Sequence, residues 1–253
     1  MIKKRLIGVV TVKDGWAVQS FGYSRYLPLG RPEVLVENLD RWGADEILLQ
    51  CIDRTPSGLG PDFALLDRIG ARGLSTPVIY AGGIRHAQDA VDAVQAAADR
   101  VAVDALLRHD LDAVAQAGAR LGNQALIGAV PLTAGGWLDY QSGLASAALP
   151  AVLQALAGGI LSEALVIDAV HEGYPSAFDE TILDALDGAF PLIAFGGIST
   201  AIQMRSILDR PRVVAVAVGN FLTYREHAVQ ALKAALHGAP LRPANFHMTG
   251  FDQ

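Results

Sequence analysis

Short apolar runs alternate along the chain with longer stretches in which apolar positions recur every three or four residues. The runs fall at residues 6–10, 47–52, 77–80, 101–103, 125–130, 164–167, 191–195 and 213–218. They are continuous and often β-branched, as strands buried on both faces are. The intervening stretches predict helices over 32–42, 63–72, 86–98, 111–121, 146–157, 180–186, 200–208 and 224–236. The first opens on Pro32 and stops at Gly43, the usual helix punctuation. Strict strand–helix alternation implies parallel strands joined by right-handed crossovers. Eight such units in 253 residues imply a closed (β/α)8 TIM barrel forming a single domain over 1–253. Residues 134–158, rich in Gly and Ala, read as a long loop followed by a helix within that domain.

The pattern repeats itself. Glu46-Ile-Leu-Leu leads to Asp62 and then to Pro77-Val-Ile-Tyr-Ala-Gly-Gly-Ile. Glu163-Ala-Leu-Val leads, at the same spacing, to Asp179 and then to Pro191-Leu-Ile-Ala-Phe-Gly-Gly-Ile. Three landmarks in one order predict two similar half-barrels.

Composition narrows the function. A hydrophobic fraction of 51% excludes a disordered chain. Twenty basic against 26 acidic residues give a net charge of −6, which argues against nucleic-acid binding. One cysteine, Cys51, permits no intramolecular disulfide. No apolar stretch reaches the ~18 residues of a membrane span, and the start carries no signal-peptide pattern. A cytoplasmic protein is expected.

In a barrel the loops after the strands build the active site. Gly82-Gly83 follows the third predicted strand, Gly173 the sixth, Gly196-Gly197 the seventh and Gly219-Asn220 the eighth. Such turns bring a phosphate close to backbone N–H groups, and loops seven and eight are the usual place for one. The plainer role is to permit positive φ in tight turns. After the fourth strand Asp104-Ala105 puts a carboxylate where a symmetric anion site would lie, and an ionised Asp there repels phosphate unless it is paired. A phosphorylated small molecule is the expected ligand.

The doubled half-barrel, the start Arg5-Leu-Ile leading to Val12-Lys13-Asp14-Gly15, and the two P-x-I-x-x-G-G-I segments together resemble the cyclase subunit of imidazole glycerol phosphate synthase, HisF. The resemblance covers nearly the whole chain. It implies a lyase-type (β/α)8 barrel of histidine biosynthesis that binds a two-phosphate ribonucleotide at its top. It also implies a HisH-like glutaminase docked below, feeding ammonia through the barrel. Family members use two aspartates as acid and base at the ends of strands one and five. Those positions here are Thr11 and Pro131, neither of which titrates near neutral pH. A lysine of the family's first loop is replaced by Gln19, and an Asn-Thr pair of one phosphate site by Asp104-Ala105. The bottom is different. Arg5, Glu46, Arg100 and Glu163 match the family's charged ammonia gate, and Asp99 matches a carboxylate that contacts the glutaminase. A salt-bridge cluster that merely holds strands together is the competing reading of that ring.

The first loop, Gln19-Ser-Phe-Gly-Tyr-Ser-Arg-Tyr-Leu-Pro-Leu-Gly, resembles divergent HisF-like proteins of surface-polysaccharide (lipopolysaccharide) clusters, which implies ammonia supply to a sugar-modifying amidotransferase. Candidate catalytic groups are His171, Glu172 and Asp168, and Asp14 joins His171 and Glu172 as a candidate for a relocated acid or base, though spacing alone pairs His171 with nothing. His86, His109, His227, His237 and His247 show no metal-ligand spacing, and no cofactor is expected. Three functions remain open: an amidotransferase barrel without the usual cyclase chemistry, a working cyclase with relocated groups, and a scaffold without catalysis.

Overall fold

The computed structural model describes residues 3–147, 149–223, 227–236, 238–239 and 241–243. The strands β1 (Arg5–Lys13), β2 (Glu46–Cys51), β3 (Val78–Ala81), β4 (Arg100–Val103), β5 (Leu126–Thr133), β6 (Glu163–Asp168), β7 (Leu192–Phe195) and β8 (Val213–Val218) are all parallel to their barrel neighbours. They run in chain order around a cylinder. β5 pairs with β6, and β8 with β1, so no edge is left open. Because side chains alternate across a strand, the barrel divides its apolar residues into two separate clusters. One, including Ile7, Val9, Leu48, Ile127, Leu165 and Phe195, fills the interior. The other lies between the strands and the helices.

The helices are α1 (Pro32–Arg41), α2 (Phe63–Gly70), α3 (Ala87–Ala96), α4 (Ala105–His109), α5 (Leu111–Leu121), α6 (Pro150–Ala157), α7 (Ala201–Asp209), α8 (Asn220–Thr223) and α9 (Ala228–Ala235). One expected helix needs correction, and two further differences lie at the edges of what the sequence predicted. The helix predicted at 180–186 is a 3₁₀ turn, Glu180–Asp184, capped in front by Asp179 and followed by Asp187-Gly188, too short to settle into an α-helix. The single turn α4 was not predicted, since one turn shows no period. The helix predicted at 224–236 begins on residues 224–226, which lie outside the described residues, as do His237 and His247.

The loop after β1 is not open. It folds as an antiparallel hairpin, Trp16–Phe21 with Arg25–Gly30, that continues from β1. β5 likewise runs into a small antiparallel extension, Gly136–Leu138 with Ala145–Ser146, inside the segment predicted as loop. Both halves therefore begin with a long strand that folds back over the mouth.

The repeat extends to fine geometry. The Asp62 carboxylate accepts from Leu65 N at 3.0 Å to cap α2, and Asp179 accepts from Thr181 N at 2.9 Å. Gly82 (φ +127°) lies against the Cys51 carbonyl, and Gly196 (φ +112°) against the Asp168 carbonyl. Any side chain at either would overlap the preceding strand's backbone.

Gly196→Ala tests this directly. Its methyl would lie 2.5 Å from Asp168 O on a backbone that favours glycine, and the expected loss is about 3 kcal/mol or more in urea unfolding. Gly159→Ala, at φ +66° with nothing within 4 Å, is the control and costs about 1 kcal/mol.

Candidate functional site

The strand ends and hairpins enclose a cavity of about 540 Å³ at the top of the barrel. That is the size of a small-metabolite site. Its floor is made by Ala81, Ala102, Ala129, Leu165 and Ile167, short or apolar residues of the strand interior. Its wall carries Tyr23, Gln50, Gly82, Gly83, Asp104 and Tyr140. Tyr23 hydroxyl and the Gln50 side-chain amide lie within 3.1 Å, and the Tyr23 ring stands edge-on to Tyr140 with centroids 5.5 Å apart. The first hairpin thus reaches over the interior and closes one side of the mouth.

A second, smaller cavity of about 90 Å³ lies beyond Tyr174, which lines both. Gly173, Gly197, Gly219 and Asn220 line it, together with Ser199 and Glu172. These four expected phosphate residues therefore come together. Gly196 does not line it, and Gly82 and Gly83 belong to the larger cavity. The space is that of one substituent, not of a nucleotide.

Several of these residues also hold the mouth together. Ser20 Oγ donates to Glu172 Oε2 at 2.7 Å, and Gly22 N donates to Glu172 O at 2.8 Å. Asn220 Nδ2 donates to Ser20 O at 2.7 Å, and its Oδ1 accepts from Ser20 N at 3.3 Å. Gly173 packs so tightly on Ser20 O that no side chain fits there. Glu172 is 2% exposed, and burial raises its pKa more than its hydrogen bonds lower it. Its carboxylate is a clamp on the hairpin.

Asp168 was expected near the pocket, but it lines neither cavity. It accepts from His171 N and Asp179 N, and its Oδ2 lies 2.8 Å from His171 Nδ1. The partner of His171 that spacing did not reveal is therefore Asp168, three residues earlier. The His171 side chain is 42% exposed and lines neither cavity. The pair organises the turn after β6. Thr11 and Pro131 are both buried within their strands, in register with Gln50 and Ile167.

Asp104 is the group whose role spacing only half revealed. Burial pushes its carboxyl up to about 7, against an ordinary 3.8, and Arg108 offsets this only in part. Arg108 Nη2 stands 3.8 Å from Asp104 Oδ1, while its guanidinium stacks 3.7 Å over Trp137 and donates to Leu138 O. The spacing of Asp104 and Arg108, four apart on one helical turn, was the available signal.

At the opposite end of the barrel the four charges close a ring. Arg5 contacts Glu46 at 3.1 Å and Glu163 at 2.7 Å, and Arg100 contacts Glu46 at 3.3 Å and Glu163 at 3.0 Å. Burial works against the Arg5 charge, but Glu46 and Glu163 outweigh it and raise its pKa. Burial lifts Glu46, whose Oε2 has no hydrogen-bond partner to hold it down. Arg100 is tied further, to Gln124 O at 3.0 Å and Ser162 Oγ at 2.8 Å. Asp99 is exposed beside the ring, and its Oδ2 accepts from Val78 N at 2.8 Å. Among the described residues no cluster of His, Cys, Asp or Glu is arranged to hold a metal, and no helix is long and apolar enough to cross a membrane.

The chain matches the family model described as histidine biosynthesis protein over residues 5–228. It is 28% identical to the imidazole glycerol phosphate synthase subunit HisF of Hyphomonas neptunium (strain ATCC 15444) over 252 residues, covering 96% of this chain and 99% of the relative. It is 26% identical to the subunit HisF of Dehalococcoides mccartyi (strain ATCC BAA-2266 / KCTC 15142 / 195), covering 97% and 100%. It is 27% identical to the protein named hisF2 in Vibrio vulnificus (strain YJ016), covering 95% and 91%.

The Asp104 environment makes a pH prediction. The folded chain keeps a proton on Asp104 that the unfolded chain loses, so folding stability falls as pH rises from about 4 to about 7. The difference between 3.8 and about 7 is worth on the order of 4 kcal/mol. Asp104→Asn should remove that part of the slope, as read from urea midpoints between pH 4.5 and 7.5.

Proposed function

The chain belongs to the histidine biosynthesis protein family, and we propose that it is the barrel subunit of a glutamine-dependent amidotransferase that no longer runs the usual cyclase reaction. In this reading a HisH-like glutaminase docks at the Arg5/Glu46/Arg100/Glu163 face. Ammonia passes the ring, crosses the apolar interior and reaches the mouth cavity, where an acceptor receives it. The acceptor is a sugar nucleotide or another small molecule bound with a partner protein.

The observation that carries the reading is the contrast between the two ends. The ring is complete and each arginine contacts both glutamates. The strand ends where the family keeps its acid and base carry Thr11 and Pro131. Neutral ammonia crosses an interior lined by Ile7, Leu48, Ile127 and Leu165 with little desolvation cost, whereas ammonium does not. The ring contacts meanwhile exclude bulk water from below. The glycine-lined cavity at Gly173, Gly197 and Gly219 supplies a pocket for one phosphate of the acceptor.

A working cyclase is the second reading, favoured by the names that relatives carry. It needs an acid and a base in the mouth, where Asp104 and Asp139 line the cavity but His171 and Asp168 do not.

Two outcomes are expected. The chain co-purifies with a HisH-like glutaminase from its own genome and raises glutamine hydrolysis about tenfold or more. Asp99→Asn keeps an oxygen for Val78 N but removes the charge, so it should reduce that stimulation severalfold without changing thermal stability. Absence of both complex and stimulation would refute the docking reading. Separately, the chain should fail to restore growth without histidine to a cyclase-deficient strain, and robust restoration would establish the cyclase instead.

A further inference from the structure

The charges around the mouth are unevenly placed. Among the described residues that line the large cavity there is no Lys, Arg or His, whereas two acids, Asp104 and Asp139, do line it. The arginines of the neighbouring loops are spent elsewhere. Arg54 donates to Gly60 O at 2.6 Å and to Pro61 O at 3.2 Å, and Arg85 donates to Gly58 O at 2.6 Å. Arg108 donates to Leu138 O at 2.7 Å and stacks on the Trp137 ring. The glycine pair after β3 does not make up the deficit, because Gly83 N already donates to Thr55 Oγ1 at 3.1 Å. An anion entering this cavity would shed water and meet neither a cation nor that amide.

What the cavity offers suits an uncharged ring. Its floor includes Ala81, Ala102 and Ala129. In its wall Tyr23, Tyr140 and Tyr174 bring aromatic rings, and Gln50, Ser24 and Thr133 bring neutral amide and hydroxyl groups. The Tyr23 and Tyr140 rings stand at 75° to each other, so they do not form the parallel slot that a flat aromatic base needs. A saturated ring with apolar C–H faces and hydroxyl edges matches both kinds of surface. The smaller cavity beyond Tyr174, of about 90 Å³, has room for one substituent. Gly173, Gly197 and Gly219 line it, and the acid in its wall is occupied: the Glu172 carboxylate accepts from Ser20 Oγ at 2.7 Å and from Tyr23 N at 3.4 Å.

We propose that the mouth binds a sugar ring carrying a single phosphate, the ring in the large cavity against Tyr23 and Tyr140 and the phosphate in the small one. A ligand with phosphates at both ends is rejected, because its second phosphate would enter a cavity that has acids and no cation in its described wall. The inference rests on the reading of the small cavity as a pocket for one phosphate, and it departs from the two-phosphate ribonucleotide that the resemblance implies.

The test uses the intact chain with ¹³C-labelled tyrosine rings, and glucose 6-phosphate and glucose 1,6-bisphosphate as probes, which share a ring and differ by one phosphate. The Tyr140 resonance is assigned by its absence from Tyr140→Phe. Glucose 6-phosphate is expected to shift that resonance saturably, and the bisphosphate to bind about tenfold more weakly or worse. Ser24→Lys, on an exposed residue of the cavity wall, adds a cation there and is expected to remove most of that difference. No saturable shift with the monophosphate, equal or tighter binding of the bisphosphate to the unaltered chain, or a preference that Ser24→Lys leaves unchanged each overturns the proposal. Inorganic phosphate is expected to displace the monophosphate while leaving Tyr140 unmoved by itself. Binding of the monophosphate that phosphate does not displace refutes the single-phosphate pocket on which the inference rests. Glutaminase stimulation is read separately, so neither failure touches the docking result.

Discussion

Closure of the hydrogen-bonded cylinder is the constraint from which the rest follows. Once Glu163–Asp168 pairs with Leu126–Thr133, every strand has two neighbours and alternate residues have only the interior to enter. A charged residue at an inward position must then find its partner across the barrel. Arg5, Glu46, Arg100 and Glu163 do so at the bottom rim, where four separate strands bring them together. Above them the interior is apolar, and toward the top it shrinks to alanines at 81, 102 and 129. The cavity exists because those side chains are short, and its place at the strand ends is fixed by parallel topology.

The two halves share a scaffold and differ in electrostatics. Both close their third strand with a glycine pair that lies on a neighbouring backbone, and both extend their first strand into a fold-back over the mouth. On the first half this fold-back is strapped to the turn after β6 by Glu172 and Asn220. On the second, Arg108 packs against Trp137 of the fold-back itself and pairs with Asp104 only at 3.8 Å. A duplicated frame thus carries a neutral glycine turn on one side and a carboxyl of raised pKa on the other.

Most of the frame was legible because it depends on patterns that repeat. All eight barrel strands lie within a few residues of their apolar runs, since a strand buried on both faces leaves a plain signal in sequence. The hairpin after β1 was read as a loop because Gln19, Ser20 and Arg25 interrupt the apolar pattern. Gln19 and Ser20 are buried all the same, held by Thr223 for the first and by Glu172 and Asn220 for the second, about 150 to 200 residues away. The site was legible in part for the same reason. The glycine turns follow from local motifs, whereas the charged ring was expected from the resemblance to HisF and not from any local pattern. The pairing of His171 with Asp168, and the absence of both from the cavity linings, depends on how the turn after β6 coils, which spacing does not encode.

The ring also bears on how such a barrel opens. Buried ion pairs add little to stability over a well-packed apolar plug, because desolvation consumes most of the Coulomb energy. A barrel that needed only a sealed floor would be served as well by leucine. What charges add is a seal that breaks one contact at a time. The two arginines differ in this respect. Arg100 is held by both glutamates, Gln124 O and Ser162 Oγ, whereas among the described residues the hydrogen bonds of the Arg5 guanidinium go to the two glutamates. Of the two arginines Arg100 is therefore the more firmly tied, a difference set by its neighbours rather than by the charges themselves.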